Sequence, residues 1–157
     1  MVSLSFDLPA PSSPWRRTWQ AAGRGDPSAI PEIDLRYKYF GVNVELVAGG
    51  VQIISKKGFV TLVDLALSLC GVAERLSRGE NASFGFTERE EVIGFHLDGE
   101  TVTVTSSKDP QSAVAARAEL LAELGTFVRT AHARLVDEIP ALSDNPVIDR
   151  LARHSTC

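Results

Sequence analysis

The carboxylates of Thr87-Glu88-Arg89-Glu90-Glu91 are the side chains of this sequence best placed for chemistry. Paired carboxylates can share general acid–base work. They can equally form an acidic surface that meets a basic partner and speeds association. The third reading is a solvated polar turn, since charge runs usually face water. The histidines add little. His96 lies between Phe95 and Leu97, so alternation points it to the solvent face of a strand. His132 falls on the polar side of a helix and His154 in the tail. No two share metal-ligand spacing, and neither cysteine is near one of them in sequence, so no metal ligand is assigned. Nucleophile motifs of the G-x-S-x-G, C-x-x-C and S-x-x-K types are absent, as are glycine-rich phosphate loops. No catalytic residue and no cofactor is therefore expected, and the reading leans away from an enzyme.

Composition bounds the rest. The chain has 157 residues, 44% hydrophobic and 23% charged, with a formal net charge of −4. That size buries roughly 68–70% of the unfolded surface, enough for one core without a metal or disulfide staple. The acidic balance argues against nucleic-acid binding, which rests on a basic surface. Residues 1–9 lack the basic and apolar regions of a signal peptide, and the apolar run at 59–73 contains Asp64 and is too short to span a bilayer. A cytoplasmic protein without membrane contact is expected. Cys70 reads as a small buried hydrophobe and Cys157 as a terminal thiol.

Two regions are expected. Residues 1–31 hold five of the eight prolines and read as an irregular arm. Trp15 and Trp19, four apart, could share a face of a short helix there, docked on the chain's own domain or on a partner. Arg24-Gly25-Asp26 is taken as a chance tripeptide. Residues 32–157 read as a single α+β domain. Ile33, Leu35, Tyr37 and Tyr39 alternate with polar residues as a strand would. Phe40, Val42, Val44 and Leu46 continue with opposite parity, which predicts a bend near Phe40-Gly41. Ala48-Gly49-Gly50 predicts a hairpin into a strand at 51–54.

A helix follows, with Leu62, Leu65, Ala66, Leu69, Val72, Ala73 and Leu76 on one stripe. Thr61 is its expected N-cap, Asp64 the reciprocal partner and Gly79 the stop. Strands at 83–87, 91–97 and 100–105 each carry one apolar face, and Asp98-Gly99 is the strongest hairpin signal. A long helix is expected from Asp109-Pro110, its stripe formed by Leu120, Leu124, Phe127, Val128, Ala131 and Leu135. Asn145-Pro146 caps a short last helix. The expected architecture is an antiparallel sheet of about five or six strands, with two main amphipathic helices on one face and a short C-terminal helix.

The segment Phe84-Gly85-Phe86-Thr87-Glu88, followed by Glu91-Val92-Ile93-Gly94-Phe95, Asp98-Gly99 and Val102-Thr103-Val104, is similar in layout to small bacterial α+β domains. It resembles immunity-protein-like families of polymorphic toxin systems, with an actinobacterial-type composition. That resemblance implies a small acidic protein that binds another protein. It carries over no functional residue.

The expected function is a non-enzymatic protein-binding module, in the manner of an immunity-type inhibitor. Trp15, Trp19, Glu88, Glu90 and Glu91 are its expected protein-binding residues. Two alternatives stay open. One is a small-ligand or enzymatic domain with a sheet–helix pocket and Tyr37, Tyr39 and His96 as its polar groups. The other is a self-associating subunit, a homodimer paired through an exposed strand edge.

Overall fold

The computed structural model describes residues 1–86, 88–108 and 111–154. Alternating apolar and small polar residues build a first sheet. In β1 (Val2–Asp7), Val2, Leu4 and Phe6 alternate with Ser3, Ser5 and Asp7. This strand pairs antiparallel with β2 (Gly41–Ala48), from Val2 opposite Ala48 to Asp7 opposite Asn43. Gly49 and Gly50 then take φ of 55° and 80°. Glycine reaches that left-handed region without a Cβ clash, so a two-residue turn fits. The returning strand is β3 (Val51–Ile54); residues 55–58 loop out, and β4 (Phe59–Thr61) rejoins the same edge of β2 at Asn43 opposite Phe59. The Asn43 amide donates to the carbonyls of Lys56 and Gly58 at 2.9 and 3.0 Å, which holds that loop in place.

A second antiparallel sheet is a plain meander of β5 (Ala82–Gly85), β6 (Val92–Asp98), β7 (Thr101–Ser106) and β8 (Ser112–Ala116). The Asp98-Gly99 turn joins β6 to β7, with Gly99 at φ 63°. Five α-helices are present among the described residues: α1 (Arg16–Ala22), α2 (Glu32–Tyr37), α3 (Leu62–Ser77), α4 (Arg117–Glu138) and α5 (Pro146–His154). The stripe expected on α3 is buried except for Ala73, which is partly buried, and the stripe expected on α4 is buried throughout. Each such Leu contributes roughly 1.5–3 kcal/mol. The two helices pack on each other, α3 also against β5, and α4 against β1 and β8.

The α+β class and the antiparallel pairing are as expected. The strands, however, divide between two four-stranded sheets; β3 runs close to β7 and β8 with no hydrogen-bonded ladder between them among the described residues. Three local readings are corrected. Residues 33–37, expected as a strand, form α2. Pro31 sits at its N-cap and Glu32 and Asp34 in its first turn, where acidic groups suit the helix dipole. The 100° step then buries Leu35 and leaves Ile33 66% exposed, where a strand would have put both on one face.

The long helix starts at Arg117, not at Asp109-Pro110, which lie outside the described residues. Residues 112–116 pair with β7 instead and bury Ala113 and Ala115, so sheet pairing overrides alanine's helix propensity. Residues 1–31, expected to be irregular apart from a short helix around Trp15 and Trp19, contain β1 as well as that helix, α1. Buried Asn145 ties a further part of them down: its amide donates to the carbonyls of Pro27 (2.9 Å) and Ile30 (3.0 Å), while its Oδ1 accepts from Val147 N at the start of α5 (3.0 Å). The bend expected near Phe40-Gly41 is present as a left-handed residue, Phe40 at φ 66°. A bulky side chain there is strained, by an amount of order 1–3 kcal/mol. Complete burial of its ring, edge-on to Trp19 at 5.0 Å, offsets that strain.

Candidate functional site

The three glutamates named from the sequence have three different surroundings. Glu91 is only 7% exposed. Its carboxylate accepts a hydrogen bond from Ser106 Oγ at 2.6 Å and lies 3.1 Å from Arg89 Nε. The Arg89 N–H does not point at that oxygen, so Nε is buried without a hydrogen bond while the charges still pair. Glu88 is exposed but occupied: its Oε1 accepts from Thr61 N (3.2 Å) and Thr61 Oγ1 (2.8 Å). It therefore caps α3 from outside the helix. Thr61 makes no capping bond of its own, so the expected Thr61–Asp64 capping pair is replaced. Glu90 is exposed, with no ion pair or hydrogen bond among the described residues. Thr87 of the same cluster lies outside them.

The tryptophans also separate. Trp19 is buried in the core, and its Nε1 donates to Gly41 O at 2.9 Å. Trp15 stacks on Phe59, with centroids 5.0 Å apart and planes at 15°, and keeps an exposed face. Tyr37, Tyr39 and His96 are not brought together. Tyr37 and Tyr39 flank the junction of α2 and β2, His96 is on the solvent face of β6, and none of them lines one of the larger clefts.

Asp64, expected only as a capping partner, is nearly buried and takes a different role. Arg36 Nε donates to its Oδ1 at 2.8 Å, Arg36 Nη1 to Glu32 at 3.2 Å, and Arg150 Nη2 to Glu32 at 2.7 Å. This chain of charges ties α2, α3 and α5. Burial pushes the Asp64 carboxyl above the usual range, and the Arg36 bond only partly opposes it. The Arg36 bond holds Glu32 below its usual value. Burial works against the Arg36 charge, but its bonds to Asp64 and Glu32 outweigh that and raise its pKa.

The second sheet presents an uncovered outer face. Its inward residues, including Phe84, Ile93, Phe95, Val102 and Val104, are buried. The outward rows, set by the register, read Ser83–Gly94–Thr105–Ser112, His96–Thr103–Val114 and Asp98–Thr101–Ala116. Gly85 and Val92 pair at one end. Val114 is 59% exposed. Only His96 and Asp98 on this face carry a titratable group. Strand propensity accounts for the threonines and valines but not for Gly85, Gly94, Ser83, Ser112 and Ala116. The acidic groups sit at its two ends: Glu90 before β6, and Asp98 and Glu100 at the β6–β7 turn.

The edges of the first sheet differ from this face. The outer edge of β1 has two of its donors taken: Val2 N and Leu4 N donate to Glu119 (2.6 Å) and Glu123 (3.1 Å), one turn apart on α4. Two other features were not foreseen. A cleft of about 770 Å³ opens between the β3–β4 loop, the β5–β6 connection and the β7–β8 connection, and a groove of about 400 Å³ separates α3 from α4. The cleft's lysines, Lys57 and Lys108, fall in connections between strands that carry no site motif in the sequence. No protein-family model, curated protein or solved structure matches this chain. Among the described residues, no helix is long and apolar enough to cross a membrane.

Proposed function

We propose that the chain is a non-enzymatic protein-binding module, acting in the manner of a cytoplasmic immunity-type inhibitor, and that it docks through the outer face of its second sheet. The observation that supports this is the near absence of charge on three successive outward rows of a four-stranded sheet. Burying a charged side chain against a partner costs its hydration. Burying glycine, alanine or valine forfeits no polar hydration, and threonine or serine forfeits less than a charge once its hydroxyl is hydrogen-bonded; all of them lose little rotamer entropy. Interface cores are depleted of charge for this reason. Glu90 at one end and Asp98 at the other are acidic groups at the margin of the face, while Glu100 is paired with Arg117, so the partner is expected to place cations opposite Glu90 and Asp98. In this reading Trp19, Glu88 and Glu91 support the fold, and Glu90 is the named glutamate free to meet the partner.

The test is capture from lysate of the source organism with wild type, Thr103→Arg and Val114→Arg side by side. Thr103 is at the centre of the face and Val114 is exposed, so both variants keep the wild-type urea midpoint. One stoichiometric protein, retained by wild type and lost by both variants, supports the reading. Equal retention by all three, or no partner and no self-association of wild type, sinks it. A wild type that only self-associates, and loses that with Thr103→Arg, identifies the partner as a second copy.

A further inference from the structure

The cleft between the sheets is lined by Lys57, Arg89 and Lys108, a cationic site on a chain whose net charge is −4. Arg89 is the built part of it. Its guanidinium lies over the Phe86 ring, 4.5 Å from the centroid, and pairs with Glu91, which Ser106 holds. Its other side is against the β3–β4 loop, where a Cβ on Gly58 would stand 2.8 Å from Nη1. Gly58 is thus the residue that admits the guanidinium. Arg89 remains 20% exposed, and among the described residues no hydrogen bond takes its Nη donors. A fixed guanidinium fork suits a tetrahedral or planar oxyanion. Charge decides between them. Among the described residues that line the cleft, three cations stand against one carboxylate, Glu91, an excess of two positive charges for a ligand. A phosphate monoester carries about −1.5 to −2 at pH 7, whereas a monocarboxylate would leave one cation unmatched. The cleft's volume of about 770 Å³ also accommodates a small organic body beside the phosphate.

We propose that this cleft binds a small phosphate-bearing anion, with Arg89 as the oriented donor and Lys57 and Lys108 as flanking charges. The proposal stands apart from the open sheet face. The test is a calorimetric and NMR titration of the full chain with inorganic phosphate, glycerol phosphate and acetate at matched ionic strength. Both phosphates should bind saturably and shift the amides of residues 52–57, 106–108, 111 and 112, with acetate at least roughly tenfold weaker, the scale of one lost charge-assisted contact. Tighter binding of the ester marks an organic phosphate as the ligand; equal binding marks the free ion. Lys57→Gln and Lys108→Gln, both at exposed positions, should each weaken binding several-fold. Gly58→Ala changes no charge and displaces Arg89, so it should weaken binding as much. Absence of saturable binding in the millimolar range overturns the proposal. So does equal binding of acetate, or an unchanged affinity in Gly58→Ala together with Lys57→Gln and Lys108→Gln.

Discussion

Replacing Glu91 by alanine should be the most damaging change among the clustered glutamates, although sequence alone treats them alike. The structure supplies the magnitude. At 3.1 Å and an effective dielectric near 20, the gross attraction between Glu91 and Arg89 is about 5 kcal/mol. Removing one member of a buried pair costs about 3–5 kcal/mol, because the other charge is left uncompensated. Arg89 is one-fifth exposed and can turn partly to water, which puts the expected loss near the lower end, about 3 kcal/mol. Glu91→Gln keeps an acceptor for Ser106 and should lose less, about 2 kcal/mol. Glu88→Ala removes a helix cap, worth about 1 kcal/mol. Glu90→Ala should stay within about 0.5 kcal/mol of wild type. Urea denaturation reads all four as midpoint shifts at unchanged slope. A Glu91→Ala midpoint indistinguishable from that of Glu90→Ala would refute the buried-pair argument. So would a double-mutant cycle with Arg89→Ala that returned no coupling.

Three further outcomes follow from named contacts. A Cβ on Gly41 would stand 2.6 Å from Trp15 Cε3, so Gly41→Ala should move Trp15 off Phe59 and change tryptophan fluorescence, at a cost of about 1–2 kcal/mol; an unaltered spectrum would contradict the stacking. Glu119→Ala and Glu123→Ala each free a donor on the outer edge of β1, so the double variant should lose about 2 kcal/mol and self-associate in sedimentation more than wild type. The pH dependence has two opposed parts. Glu32, lowered in the folded state, adds stability above its unfolded value that is lost as pH falls through the folded one. Asp64, raised by burial, adds stability present below its unfolded value and lost as pH rises through the folded one. Between about pH 3 and 5, stability should therefore rise with pH less steeply in Glu32→Gln and more steeply in Asp64→Asn than in wild type; changes of the opposite sign would reject these assignments.

Elements whose apolar period is carried by many residues were legible in the sequence: the stripes of α3 and α4, the Gly49-Gly50 and Asp98-Gly99 turns, and the cap of α5. Short segments were not. Ile33, Leu35 and Tyr37 fit a strand as well as a six-residue helix, and only Pro31 and the acidic first turn of α2 favour the helix. In β1 the alternation of Val2, Leu4 and Phe6 was present but outweighed by the prolines that follow. For the site, charge along the chain was visible and charge pairing was not. Thr61 and Glu88 are 27 residues apart, and Glu91 and Ser106 are 15 apart, so neither bond leaves a local signal. The outward positions of the second sheet did leave one: glycine, serine and threonine fill the parity opposite Phe84, Phe95 and Val104, where charged residues are the ordinary choice on a solvated face.

On the proposed reading, the same pairing bears on where a partner would dock. Glu91 pairs with Arg89 and accepts from Ser106, and Glu88 accepts from Thr61, so using either for a partner would first undo a contact of the fold. An ionic surface built on them would gain one bond and lose another, with little net affinity. The outer face of β5 to β8 carries no such debt, because its inward side alone makes the core and its outward side chains make few bonds to give up. On that reading the energetically open surface is therefore the nearly uncharged one, and Glu90 and Asp98 at its ends would act on the rate and orientation of approach. Raising salt should accordingly slow association with a basic-rimmed partner more than it speeds dissociation, as kinetics at two ionic strengths would show.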